Sequence, residues 1–407
     1  RNFHAMWTAT KKAAIFINLF SSIYFAFTKS DANVKRWSPL IVAFSFVLII
    51  SWFMTDFATQ WVLIEACTLI GALLISMSQN EKATNVAWKF LFLNSFGMGI
   101  AFLGLVILSY GVHNVISMNI DVIMEHIQEK QNPIIEVGIW LVVFGYSTKL
   151  GLFPNQYWVS DTYSESPRQI SALFASLIPV SVSIAIRPIV KMDELMLIPH
   201  FSSKDALLVM GISTMVYSIL TLYQVRDIRR ITSLIAMFHN GAIGVFLWLN
   251  TSDGIFYLAL TSLVVIKALI FASLGVLRLD LSSRIIDEIN PKEGLHPMSK
   301  FIYLGSIFMA FAVPISPMFL SDMMAMRMAV KHSYYWYTLV PCLGITFFAI
   351  TLYKILPIMN IDSRGFKLEN YKMIRIRIGL TLFLFAIAIL IAVYGFYLFT
   401  TGGLDNV

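Results

Sequence analysis

The sequence predicts an all-α, polytopic membrane protein of about twelve transmembrane helices, arranged as two inverted five-helix repeats with two broken helices. Three observations carry that prediction. Of the 407 residues, 58% are hydrophobic and only 13% are charged, where a soluble domain carries about 25% charged residues. Apolar runs of about 18–25 residues recur along the chain, the length that crosses a hydrocarbon core of about 30 Å. Two of these runs are interrupted by proline, in GLFP at 151–154 and PISP at 314–317, with a charged residue close by each time. Broken spans in matching halves of a chain point to a transport site near the midplane.

Taken in order, the spans fall near 13–29, 38–55, 57–77, 86–110, 134–153, 167–190, 205–224, 229–249, 253–276, 299–326, 333–357 and 376–400. The opening RNFHAMWTATKK has neither an initiator Met nor a signal-peptide pattern, and reads as chain running into span 1 from a preceding segment. Residues 1–37 are expected to form an N-terminal transmembrane helix, 38–190 a first five-helix repeat and 191–357 a second, inverted one. Residues 358–407 supply a loop and the last helix. An odd number of helices per repeat is what inverts the second relative to the first. Lys and Arg set the orientation: about 19 of the 30 fall in the connections after odd-numbered spans and about 9 on the other face. The odd connections are therefore expected in the cytoplasm and both termini on the outer face. The net charge of +7 is read by side of the membrane, not as a nucleic-acid signal. Residues 111–133 are mildly amphipathic and expected on the outer surface, while 278–298 and 358–375 read as solvated cytoplasmic connectors. Cys67 and Cys342 lie in apolar runs and are too few for a zinc site or an iron–sulfur cluster.

Charges inside spans carry the functional reading, because an ionisable residue in hydrocarbon is costly and marks a pathway by default. Glu65 lies in WVLIEACTL of span 3. Lys149 stands just before the first break, in GYSTKLGLFPNQYWVSDTYSESPRQISALF from Gly145 to Phe174. Lys267 sits mid-span in TSLVVIKALIFASLG, too deep to reach the interface easily. His239 in AMFHNGAIG is the positional counterpart of Glu65, and suits a relay or a hydrogen bond within the core equally. Asp322 follows the second break and mirrors Lys149. Asp56, Glu136 and Arg187 stand near helix ends, where interfacial placement is the economical reading, and Glu165 and Arg168 could pair in the loop after the break. Carboxylate, lysine, histidine, lysine and carboxylate spread through a bundle suit proton transfer between coupled titrating sites. Nothing suggests nucleophilic catalysis, a phosphate loop or a cofactor motif, so no cofactor is expected and a directly catalytic redox enzyme is disfavoured.

These segments, with RDIRRITSLIAMFHNGAIG, VIKALIFASLG and PISPMFLSD, stand in collinear order over roughly residues 37–357. Together they resemble the antiporter-like, proton-conducting membrane subunits shared by respiratory complex I, energy-converting hydrogenases and Mrp-type cation/proton antiporters. AWKFLFLNS, with Trp88, is most similar to the hydrogenase-4 component F branch. The resemblance implies a fold of about fourteen helices, of which this chain would lack about the first two. It also implies that Glu65 and Lys149 form the coupled pair of a first half-channel. His239 and Lys267 would continue a central polar axis, and Asp322 would end a second half-channel. The chain departs from the family where span 6 has no titratable residue before Arg187, where Ala259 and Leu263 replace histidines, and where Gln156 and Ser160 replace a histidine and a proline.

The expected function is proton translocation, with sodium/proton antiport as a variant, by a subunit of a complex I-like or hydrogenase-related respiratory complex in a bacterial or archaeal cytoplasmic membrane. Partners would be other subunits of that complex. The resemblance leaves two alternatives open. One is a proton-conducting partner of a carbonic-anhydrase-like protein that takes up inorganic carbon. The other is a proton-incompetent structural subunit, which the gap in span 6 would suit.

Overall fold

Backbone polar groups in an apolar environment must be satisfied within their own segment, which leaves the helix as the economical conformation for such runs. Among the described residues every regular element is helical, and the extended pairings are two isolated antiparallel bridges. The computed structural model describes residues 32–77, 81–113, 118–127, 132–196, 202–290, 294–311, 313–361 and 371–400. Span 1, at 13–29, lies outside the described residues.

The α-helices are α1 (Ala32–Ser51), α2 (Phe57–Ser76), α3 (Glu81–His113), α4 (Ile120–His126), α5 (Pro133–Leu150), α6 (Tyr157–Glu165) and α7 (Arg168–Glu194). They continue as α8 (Ser203–Gln224), α9 (Ile228–Leu249), α10 (Asp253–Leu277), α11 (Pro297–Ala310), α12 (Pro317–Lys331), α13 (Leu339–Met359) and α14 (Tyr371–Thr400). Among the described residues nine helical segments are long and apolar enough to cross a bilayer, and they coincide with spans 3–9, 11 and 12. Span 2 is α1, whose apolar part is Ser38–Ser51. Span 10 is the pair α11 and α12, neither of which covers about 30 Å at about 1.5 Å per residue. The chain is an integral membrane protein.

Burial separates the helices by role. In α7 and α10, 94% of the most apolar window is inside the molecule, against 17% for the segment containing α13 and 22% for α14. A helix apolar on all sides belongs in the middle of a bundle, and α7, α9 and α10 pack against one another there. Between α3 and α5 small residues bring the backbones together, as at close membrane-helix crossings. A Cβ on Gly145 would lie 2.4 Å from the Gly97 carbonyl oxygen, and one on Gly104 would lie 2.7 Å from that of Gly138.

A local motif occurs twice. Asp56 caps α2, its Oδ1 accepting from Thr59 N at 2.8 Å, and Asp227 caps α9, accepting from Arg229 N at 2.8 Å. Each Asp also sits in an antiparallel bridge. Phe57 N donates to Met118 O (2.8 Å) and Ile120 N to Thr55 O (2.9 Å); Ile228 N donates to Arg284 O and Ile286 N to Arg226 O, both at 3.0 Å. The bridges draw parts of the expected surface connectors into the fold, where Ile123, Ile127 and Ile286 are buried. Arg187, expected at the interface, is also buried. Its guanidinium donates to Asp253 Oδ1 at 2.6 Å and to Thr251 O at 2.6 Å, and these acceptors replace water.

Candidate functional site

Helix α5 ends where Gly151 adopts φ 76°, in the left-handed region. Gly151 N donates to Thr148 O (3.1 Å) and Leu152 N to Ser147 O (3.0 Å), the reciprocal pair of a Schellman ending. A side chain at 151 would strain the backbone and set its Cβ 2.1 Å from Val159 Cγ2. This ending holds Lys149 in the last turn, fully buried. It does not snorkel. Its Nζ donates to Thr68 Oγ1 and stands 5.5 Å from the centre of the Phe90 ring.

Thr68 lies one turn beyond Glu65 on α2, and residues three apart share a helix face. Its hydroxyl donates to Glu65 Oε2 at 3.0 Å, while Ser95 Oγ on α3 donates to Glu65 Oε1 at 2.5 Å. Glu65 and Lys149 are thus brought together through a shared hydroxyl rather than a direct ion pair. The result is an ordered run: Lys149, Thr68, Glu65, Ser95. Thr68 and Ser95 escape a search for charges, and the only signal that could have found Thr68 is its spacing from Glu65.

The second group is built on α9. Lys267, buried on α10, donates to Asn240 Oδ1 at 2.5 Å. Asn240 Nδ2 donates in turn to Leu150 O at 2.9 Å, the carbonyl of the last residue of α5. The neighbouring His239 is buried, and its Nε2 donates to Ala310 O at 2.8 Å, the carbonyl of the last residue of α11. Two consecutive side chains of one helix therefore hold the final carbonyls of both broken helices. Carbonyls at a helix end lack an intrahelical donor, and inside a bundle a side chain must supply one. Ser316 completes the second break: its Oγ donates to Met309 O at 2.6 Å and accepts from Met318 N at 3.1 Å.

Asn240 is the member of this group that sequence reading missed, because an amide beside a histidine draws no notice as a charge would. It also bears on the gap in span 6, since Asn240 reaches from Lys267 to the first break without using α7. Asp322 stands apart. Its residue is exposed on α12 and lines a recess of about 30 Å³ with Phe246, Phe256, Leu263 and Met318. No hydrogen bond joins it to Lys267 among the described residues. At one end of the bundle α6 is pinned to neighbouring elements. Asp161 pairs with Lys89 (3.3 Å) and Arg230 (3.1 Å), and Glu165 pairs with Arg284 (3.2 Å), which also meets Asp227 (3.1 Å). Arg168 donates to Gly275 O at 2.9 Å.

A sequence profile described as NADH:quinone oxidoreductase/Mrp antiporter, transmembrane, matches residues 54–349. Among curated proteins, the chain is 23% identical over 315 residues to a hydrogenase-4 component F homolog of Methylacidiphilum infernorum, covering 75% of this chain and 65% of that one. It is 24% identical over 314 residues to NADH-quinone oxidoreductase subunit N 2 of Opitutus terrae, covering 75% and 63%. The chain spans less than two thirds of the length of these curated relatives. In fold it resembles a chain of an archaeal membrane-bound sulfane sulfur reductase (TM-score 0.78, 17% identity, 97% of this chain and 79% of that one). It also resembles a chain of the Mrp complex of Dietzia sp. (TM-score 0.73, 17% identity, 99% and 81%).

Proposed function

Because the chain belongs to the NADH:quinone oxidoreductase/Mrp antiporter transmembrane family, we propose that it translocates protons as one subunit of a larger membrane complex. The observation that carries this reading is the hydrogen-bonded run from buried Lys149 and Thr68 to half-buried Glu65. A hydroxyl both donates and accepts, so Thr68 can take a proton from the Lys149 ammonium as it gives its own to Glu65. The pair then passes between a charged form, lysinium and carboxylate, and a neutral one, amine and carboxylic acid. Interacting sites of this kind titrate together, so a charge arriving near either end moves the proton between them.

Lys267 is the proton site of the second half in this reading, with His239 beside it and Asp322 as its outlet. Asn240 has a different part. An amide does not pass protons readily, and Leu150 O can only accept. Asn240 therefore transmits the position and charge of Lys267 to the first break without short-circuiting the two halves. Two five-helix units, 38–190 and 191–357, inverted relative to each other, are supported by the recurring Asp cap and antiparallel bridge. Relatives named as components of hydrogenase, NADH-quinone oxidoreductase and Mrp complexes support assembly with other subunits. The excess of Lys and Arg after odd spans supports a cytoplasmic placement of those connections.

Glu65→Gln or Lys149→Ala should reduce proton uptake into proteoliposomes holding the intact complex by at least about tenfold, which takes only about 1.4 kcal/mol on a barrier. Unchanged uptake in either variant, with the complex assembled, overturns the proposal. Orientation is tested apart from transport. A cysteine at Ser282, in a Cys-free background, should react with a thiol reagent confined to the cytoplasmic side, and labelling from the outer side alone reverses the assignment.

A further inference from the structure

Where α12 ends against the start of α10, a recess of about 180 Å³ opens between the two helices. Liquid water occupies about 30 Å³ per molecule, so this space suits a larger group. Its polar wall is cationic. Arg327 and Lys331 are four residues apart on α12 and share a face, and His332 follows at the helix end. Among the described residues no carboxylate lines the recess. The nearby Asp253 is engaged by Arg187 at 2.6 Å and Lys191 at 3.0 Å. Opposite stands Ser252, at the N-terminal end of the 25-residue α10, where the helix dipole favours an anion.

The remaining wall is apolar, formed by Met324, Met328 and Ile255. An anion site for a freely dissolved ion has no use for such a floor, whereas an amphiphile does. The depth of the recess in the membrane follows from its surroundings. Immediately after His332, the chain presents Tyr334, Tyr335 and Trp336 on the surface, with Tyr334 and Trp336 packed on Trp248. Tyr and Trp concentrate at the headgroup level of a bilayer.

We propose that this recess binds the phosphodiester headgroup of an anionic phospholipid. Its phosphate oxygens accept from Arg327 and Lys331, and its first acyl carbons lie over Met324, Met328 and Ile255. Such a lipid would tie the half-helix after the second break to the head of α10. This inference does not rest on proton transport.

The full chain in detergent, titrated with phosphatidylglycerol and followed by native mass spectrometry, tests it. Wild-type protein should retain one phosphatidylglycerol in preference to phosphatidylcholine, with retention weakening as NaCl rises. Lys331→Gln should lose about fivefold in affinity and Arg327→Gln a similar factor, since each cation near a membrane surface contributes about that much. Arg327 and Lys331 are both exposed, so both variants are expected to fold. Equal retention of the two lipids, or unchanged retention in Lys331→Gln, overturns the proposal. So does displacement of the lipid by inorganic phosphate at matching concentration, which would assign the recess to a soluble anion.

Discussion

Lys149 and Thr68 are 81 positions apart in sequence, and Lys267 and Asn240 are 27 apart. Each lysine was legible from sequence alone, because a cation in an apolar run stands out. Neither partner was. A buried ammonium needs acceptors, and threonine and asparagine are too common among apolar segments for a single sequence to mark the ones that serve. Thr68→Val tests the hydroxyl directly. Valine keeps the shape of threonine but leaves Lys149 without its acceptor, at a cost of about 1–3 kcal/mol. Proton uptake should fall as far as it does in Lys149→Ala, and Thr68→Ser should restore most of it. Wild-type uptake in the valine variant would remove Thr68 from the path.

At the scale of elements, the apolar runs placed the spans well, and GLFP and PISP marked both interruptions. How each helix ends was less legible. Pro154 looks like the breaker of span 5, yet α5 already ends at Leu150, with the left-handed Gly151 and its paired amide bonds closing the turn. The second break is closed by a serine that serves both of its half-helices. Residues 111–133 were expected on the outer surface and 278–298 as a solvated connector, and hydrophobic residues within both instead dock through the two short bridges, while 362–370 of the last connector lie outside the described residues. Contact between α3 and α5 leaves little room for change. Gly145→Ala would push a methyl group against Gly97 O and Ala101 N, at 2.4 and 2.5 Å. Backbone cannot rotate aside as a side chain can. We expect a loss of about 1–3 kcal/mol or more, read as a lower midpoint in thermal unfolding in detergent. An unchanged midpoint would mean that the two helices are free to separate.

Across the whole molecule, α9 ties distant elements together, its His239 and Asn240 holding the last carbonyls of α11 and α5. Asn240→Leu removes the acceptor of Lys267 and the donor to Leu150 at once. We expect the variant to assemble with reduced thermal stability and to lose at least about tenfold in proton uptake, the effect of about 1.4 kcal/mol on a barrier. Full uptake by an assembled Asn240→Leu complex would show that the link from Lys267 to the end of α5 is dispensable. The sequence by itself determined that this is a helical membrane protein, where most of its helices run, where two of them break and that Lys149, His239 and Lys267 stand within apolar runs. Those are properties of continuous segments, dictated by the solvent each segment must face. Only the tertiary structure decided that Glu65 and Lys149 share a hydroxyl, that Asn240 links Lys267 to the end of α5 without using α7, and that Asp322 is left exposed. Those depend on which faces of distant helices meet, and helical periodicity within one segment does not specify the neighbour across the gap.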